Sequence, residues 1–374
     1  MTLIDNSERC DEDNEPHAND ESLISIAVNL SPFFLNGSYG ENVTLPIAQQ
    51  LLHQLHSDGF AFVRGTGISC TVCSCALEQS KAFLNDAPEA VRRSCLAQDR
   101  ARRGYSPSNT ENFASLLGEK GPNDLVRKFR IGPTSFPSTP SMSTGQHTSY
   151  PAKGYQMSTL HQPNLWPSSH VWEDGISHQF QRCLENYYRD ICFVAHKIVD
   201  ILCEAILVER PSLANALKSL TKISSTEDHS SILTVLNYSK GARHQGYNSK
   251  PLVAAHTDVG VITVLLFDAG DCAVLQRQVN TKDCWEDVKL PKKLPQDPIF
   301  VVNVGDCFSE MCEGMVSSTI HRVMPCVHGN YPRTTLALFV GLGPDDELTI
   351  AGEKLSYTEW RRRRIARALL SQMK

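Results

Sequence analysis

The sequence predicts a mostly β core, a double-stranded β-helix or jelly roll, with surrounding α-helices and an N-terminal α/β segment. Three observations point there. From Ser231 to Val340, short β-rich runs alternate with turns at Asp268–Asp271, Asn280–Lys282 and Leu294–Pro298; short antiparallel strands at this turn density fit such a roll. Upstream, Phe180, Leu184, Tyr187, Ile191, Val194, Ile198 and Ile201 recur at helical spacing, predicting one long helix from Trp172 to Val208 that supports the roll from outside. Before both, a strand, a helix and a second strand make an α/β opening.

Taken in order, residues 1–21 are acidic and poor in apolar side chains and read as a disordered tail. Leu23–Val28 alternates as a strand would, ended by Asn29-Leu30-Ser31-Pro32. Ile47, Leu51, Leu52 and Leu55 share one face of a helix over Pro46–Ser57. Asp58-Gly59 stops it, Phe60–Val63 forms a strand, and Gly65–Ile68 a turn. A helix covers Thr71–Phe83, and Pro88 opens a short one through Leu96. Residues 22–135 thus form an N-terminal domain. Residues 136–229 hold a Ser/Thr/Pro-rich surface loop, suited to a lid, then the long helix and a shorter one over Pro211–Leu220. The catalytic roll spans 230–345, beginning with the strand Ile232–Tyr238. Residues 346–374 supply a C-terminal helix, basic and amphipathic around Trp360–Leu370, and read as a packed surface helix in preference to a nucleic-acid or membrane contact.

The 374 residues are 41% hydrophobic, enough for a sizeable core, and the net charge of −5 gives no general attraction to nucleic acid or anionic membrane. No apolar run reaches the length of a membrane span, and Met1–Asp20 lacks the pattern of a signal peptide. The 13 cysteines read as reduced thiols of a cytoplasmic protein. Cys70, Cys73 and Cys75 lie close together, but no second Cys/His pair stands at zinc-site spacing, so they read as the start of a helix. A monomer is the expectation.

The chemistry concentrates between Pro251 and Phe339. His256-Thr257-Asp258 places an imidazole and a carboxylate two residues apart, which projects both to the same side of a strand. His321, from a distant strand, can complete a two-His, one-carboxylate face suited to Fe(II), leaving the opposite face open for a bidentate acid, O2 and water. Arg333 lies further along the same run, before the apolar Leu336–Val340, where a fixed guanidinium suits a carboxylate. His328 is the rival to His321 as a ligand.

At these residues the chain resembles the Fe(II)/2-oxoglutarate-dependent oxygenases of the isopenicillin-N-synthase-like type. The matching text is Ala255–Leu266 around His-Thr-Asp, then Asn303-Val304-Gly305-Asp306, His321-Arg322-Val323 and Arg333-Thr334-Thr335, with Asn164-Leu165-Trp166-Pro167 and Trp285–Val288 in family order. The resemblance implies Fe(II), 2-oxoglutarate as cosubstrate and O2, with metal ligands His256, Asp258 and His321. It implies that Arg333 and Thr335 hold the distal carboxylate and that Asn237 and Tyr238 lie near metal and cosubstrate. Many relatives carry a second Tyr where this chain has Ser239. Tyr105 matches a position that reaches the active-site mouth in relatives, with ordinary packing as the alternative. Arg130, in the cluster Arg127-Lys128-Phe129-Arg130, meets an acidic substrate or stays solvated. Arg243, beside Lys240 and His244, contacts substrate or caps a hairpin. Phe339 is a further candidate for substrate contact. The implied reaction is hydroxylation, desaturation or oxidative cyclisation of a small molecule in specialised metabolism. An Fe(II) oxidase without 2-oxoglutarate and a non-catalytic binding module on the same fold are the other readings.

Overall fold

The computed structural model describes residues 18–34, 40–97, 103–133, 163–225, 229–239, 250–279, 284–291, 293–326 and 328–371. The strands are β1 (Val28–Asn29), β2 (Phe60–Arg64), β3 (Gly104–Ser106), β4 (Arg127–Ile131), β5 (Ile232–Tyr238), β6 (Val253–His256) and β7 (Ile262–Phe267). They continue as β8 (Ala273–Gln278), β9 (Trp285–Asp287), β10 (Phe300–Val304), β11 (His321–Pro325), β12 (Arg333–Phe339), β13 (Glu347–Ile350) and β14 (Glu353–Ser356). The helices are α1 (Ala18–Ile26), α2 (Ser31–Phe34), α3 (Glu41–Asp58), α4 (Cys70–Lys81), α5 (Glu89–Arg93), α6 (Asp174–Glu209), α7 (Asp306–Met311) and α8 (Tyr357–Ser371).

An eight-stranded sheet in the order β1-β2-β10-β7-β12-β5-β4-β3 faces a four-stranded sheet in the order β6-β11-β8-β9. Strand alternation divides the core in two. On β7, Ile262, Val264 and Leu266 join the large cluster with α6, whereas Leu265 and Phe267 join a second cluster with Leu275 and Ala337 between the sheets. Helix α6 packs on α3 and α4 and reaches the outer side of β7 and β12. Its Ile191, Val194, Ala195, Ile198, Ile201 and Leu202 are buried, and Tyr188 Oη donates to Ser231 O at 2.9 Å. Burying such a stripe contributes about 1.5–3 kcal/mol per large side chain, far more than helix propensity supplies. Gly59 ends α3 in the left-handed region at φ 70°, which suits a residue without Cβ.

Several expectations are corrected. Ala18–Glu21, assigned to the tail, begin α1, while residues 1–17 lie outside the described residues. Leu23–Val28 is mainly helical because Leu23 and Ala27, one helical turn apart, both bury against Ile299; only Val28 joins β1. The helix expected over Pro211–Leu220 is two 3-10 turns, Pro211–Ala214 and Leu220–Ser225. The segment before the C-terminal helix forms the β13–β14 hairpin. Cys75 of α4 and Cys183 of α6 are joined as a disulfide, with Cα atoms 5.9 Å apart, so the thiols are not all free. Their spacing in the chain, 108 residues, hid the pairing. Among the described residues no helix is long and apolar enough to cross a membrane.

Candidate active site

His256 and His321 are direct cross-strand partners on β6 and β11, with ring centroids 4.3 Å apart. Asp258 is not on the strand, as the sequence had suggested, because β6 ends at His256. The loop is instead pinned: Asp306 N–H donates to Asp258 O at 2.7 Å, and Gly305 N–H to Val261 O at 2.9 Å. A Cβ on Gly305 would run into the carbonyl of Gly260, so only glycine allows this approach.

One ligand atom from each of His256, Asp258 and His321 lies within 4.8 Å of the others, and all three residues are buried. His256 Nδ1 faces Ala254 O at 2.8 Å and His321 Nδ1 faces Thr319 O at 2.9 Å. With each Nδ1–H donating to a carbonyl, each Nε2 keeps its lone pair for a metal. The Nε2 atoms stand 3.9 and 4.0 Å from Asp258 oxygens. Asp258 Oδ2 accepts from Thr263 Oγ1 at 2.6 Å and Asn303 Nδ2 at 2.8 Å and lies nearer His321, while Oδ1 is left toward His256. Burial, and then the neighbouring His321, push His256 down to about pKa 3, which keeps it neutral as a ligand must be. Burial works against the Asp258 charge, but the two imidazoles and the Thr263 and Asn303 hydrogen bonds outweigh it and hold the carboxyl below its ordinary value. A buried carboxylate without compensation costs several kcal/mol. This donor set, two neutral nitrogens and an anionic oxygen on one side, fits a divalent iron.

A cavity with about 590 Å³ of empty space lies between the sheets, walled by the triad, Asn303, Tyr238, Arg333 and Thr335. Arg333, Thr335, Ala337 and Phe339 all face it, as alternation along β12 requires. Arg333 Nε donates to Gly270 O at 2.7 Å, and its two Nη groups make no hydrogen bond with a described residue. Burial lowers the Arg333 pKa yet leaves a guanidinium cationic. Among the described residues, Thr335 Oγ1 is buried without a partner. An orphaned buried hydroxyl costs about 1–3 kcal/mol, and a carboxylate end placed here would satisfy it together with Arg333. Tyr238 lines the same wall, but Asn237 does not: it sits on the opposite face of β5, and its Nδ2 donates to Thr334 Oγ1 at 3.2 Å. The expected cosubstrate contact from Asn237 is therefore replaced by a hydrogen bond within the sheet.

A second cavity, with about 1290 Å³ of empty space, reaches Asp258 from another side and shares Phe113 and Phe339 with the first. Arg130 lines it but is gripped by Glu111, Nη1 to Oε1 at 2.7 Å and Nη2 to Oε2 at 2.6 Å, so it is neither solvated nor free. Tyr105 lines neither cavity; it is 2% exposed and meets Phe83 edge-on at 6.1 Å, so packing explains it. Arg243, Lys240 and His244 lie outside the described residues, as does most of the Ser/Thr/Pro-rich loop. His328 is exposed in a turn and takes no part in the triad. Sequence reasoning missed Phe113, whose ring lies 4.9 Å from that of His256 and 4.0 Å from Lys128 Nζ. It also missed Glu111 and the inward face of α8, none of which carries a motif. Asn303 stood in the matched text, and its alternation on β10 was the available signal.

Two family profiles match: the 2OG-Fe(II) oxygenase superfamily over residues 231–342, and the N-terminal region of non-haem dioxygenases in morphine synthesis over residues 28–169. Among curated proteins, the chain is 26% identical to the clavatol oxidase of Penicillium crustosum over 82% of this chain and 83% of that one. It is 25% identical to a 2-oxoglutarate-dependent dioxygenase of Monascus ruber over 83% of this chain and 82% of that one. In fold it is similar to a full-length Neurospora crassa protein solved in complex with alpha-KG, with a TM-score of 0.66 and 19% identity over 91% of this chain and 95% of that one. A dioxygenase for auxin oxidation in rice gives a TM-score of 0.60 at 17% identity, over 91% and 95% of the two chains. Matched in both its halves by the same group of enzymes, the chain belongs to the non-haem Fe(II)- and 2-oxoglutarate-dependent oxygenases.

Proposed function

We propose that His256, Asp258 and His321 hold the Fe(II), that Arg333 and Thr335 take the distal carboxylate of 2-oxoglutarate, and that a small molecule enters through the second cavity to be oxidised at a C–H bond. The observation that carries this reading is the shared wall. A half-buried guanidinium with two unused Nη groups and an unpartnered hydroxyl face the same cavity as the triad. Iron with 2-oxoglutarate and O2 supplies the oxidant when bound. The protein's part is to keep His256 neutral and both imidazoles aimed, to orient Asp258 through Thr263 and Asn303, and to surround the reacting space with apolar walls such as Leu265, Phe267 and Ala337 that exclude water.

The named relatives, a clavatol oxidase among them, support a role in making a specialised metabolite, by hydroxylation, desaturation or cyclisation. A monomeric cytoplasmic enzyme without a nucleic-acid partner completes the reading. Its test is anaerobic loading with Fe(II) and 2-oxoglutarate, followed by the visible charge-transfer band of the chelate. The band should form in the wild type and vanish in His256→Ala and Asp258→Ala proteins whose circular dichroism is unchanged. Turnover retained in either variant sinks the ligand assignment, and iron bound without a band points to an oxidase that does not use 2-oxoglutarate.

A further inference from the structure

Helix α8 carries five arginines, and four are tied to carboxylates. Arg362 Nε meets Glu359 at 2.8 Å, Arg363 Nη1 meets Glu353 at 2.7 Å, Arg364 Nε meets Asp306 at 2.7 Å and Arg367 Nη2 meets Glu310 at 3.3 Å. Arg361 makes no ion pair or hydrogen bond among the described residues, although it is partly buried and lines the second cavity. Tyr357, Arg361 and Ile365 face that cavity together, as spacing by one helical turn requires.

We infer that Arg361 anchors a carboxylate of the substrate, so that this enzyme acts on an apolar molecule bearing one carboxylate; the inference rests on reading the second cavity as the substrate chamber. Charge decides the class. The Glu111 carboxylate already neutralises Arg130 within the chamber and also meets Lys128 Nζ at 2.8 Å. Lys128 in turn stands 3.7 Å from Asp124, so this cluster of two cations and two carboxylates balances itself. Asp258 belongs to the metal. Among the described residues one positive charge, that of Arg361, is left without a counterion, which matches a monocarboxylate better than a phosphate dianion. A planar guanidinium grips a carboxylate through two parallel hydrogen bonds. The remaining wall, with Phe113, Ile232, Val259, Phe339 and Ile365, offers apolar contact to the body of the molecule. The carboxylate of 2-oxoglutarate does not compete for this place, because Arg333 and Thr335 stand in the other cavity.

The test titrates the anaerobic Fe(II)–2-oxoglutarate protein with phenylacetate and 1-naphthylacetate, and with the corresponding uncharged amides, reading the shift of the chelate band on occupation of the chamber. A charge-assisted pair of this kind is expected to favour the acids over the amides by about 10- to 100-fold. Arg361→Gln should erase that preference, and Arg361→Lys, which keeps the charge but not the fork, should keep part of it. Neither should change the affinity for 2-oxoglutarate. The proposal is overturned if acids and amides bind the wild type equally, if neither acid gives a saturable shift, or if Arg361→Gln keeps the preference. Failure of the underlying reading looks different: the wild type then forms no chelate band at all, and the proposal falls with it.

Discussion

Arg364 of the C-terminal helix donates to Asp306 Oδ2 at 2.7 Å, and the backbone N–H of that same Asp306 donates to the carbonyl of Asp258 at 2.7 Å. The guanidinium also reaches Thr257 Oγ1 at 3.2 Å. One side chain of α8 therefore clamps the loop that carries Asp258, and the C-terminal helix is mechanically continuous with the proposed metal site. Replacing Arg364 by Met should weaken Fe(II) binding by about 10- to 100-fold, the usual cost of removing an outer support of a ligand, and should also lower the melting temperature, because the buried Asp306 carboxylate loses its cation. An Fe(II) titration with unchanged affinity would show that Asp306 and Gly305 hold the loop unaided.

Arg333→Leu should raise the 2-oxoglutarate concentration needed for half-saturation by at least about 10-fold, because a buried carboxylate loses its charged partner. Thr335→Val should have a smaller effect, within about 10-fold, since a neutral hydroxyl contributes about 0.5–1.5 kcal/mol. Succinate release measured against 2-oxoglutarate concentration gives both numbers, and the order of the two effects is the prediction.

Asn237→Ala should leave that requirement unchanged and cost stability instead. Its amide is fully buried and bonds Thr334 across β5 and β12, so its loss leaves the Thr334 hydroxyl short of a partner, at about 1–3 kcal/mol. Urea unfolding should register the loss. An altered 2-oxoglutarate requirement would return Asn237 to the cosubstrate site.

Acid should weaken the wall of the second cavity through Glu111. Burial opposes its charge, but Arg130 and Lys128 outweigh burial and hold the folded carboxyl well below its ordinary value of 4.5. As pH falls below that value the unfolded chain takes up a proton that the folded chain refuses, so the stability Glu111 contributes is present above it and is lost progressively below. Melting temperature recorded between pH 6 and pH 3 should fall less steeply for Glu111→Gln than for wild type; parallel curves would remove Glu111 as a source of the acid sensitivity.

His256 with Asp258, and Arg333 with Thr335, were legible because each pair rests on short-range spacing, whereas His321 comes from a distant strand and was found through the matched text around it. Asn237 was misread because the resemblance carried the adjacent pair Asn237 and Tyr238 over together, whereas neighbours on a strand face opposite ways and only Tyr238 lines the cavity. The Leu23–Val28 run satisfied two periods at once, and only contact with Ile299 decided between them. Tyr105 and Arg130 were ambiguous for a different reason: their partners, Phe83 and Glu111, lie 22 and 19 residues away and are joined to them only by the fold. The inward side of α8 was hidden by composition, since Arg361 to Arg364 read alike in sequence while each meets different surroundings.

The walls of the two cavities overlap at Phe113, Asp258 and Phe339 but otherwise draw in part on different segments. Apart from Phe113 and the Asp258 loop, the first is built by roll strands alone. The second draws on the turn at Glu111–Ser115, on Ser230 and on α8. On the function proposed, the reacting space is thus walled by paired strands, and the substrate chamber also by a turn and the C-terminal helix. A lineage of such enzymes can acquire new substrates by rewriting a turn and a terminal helix without reinventing its oxidant, and a protein engineer can work on the same two segments.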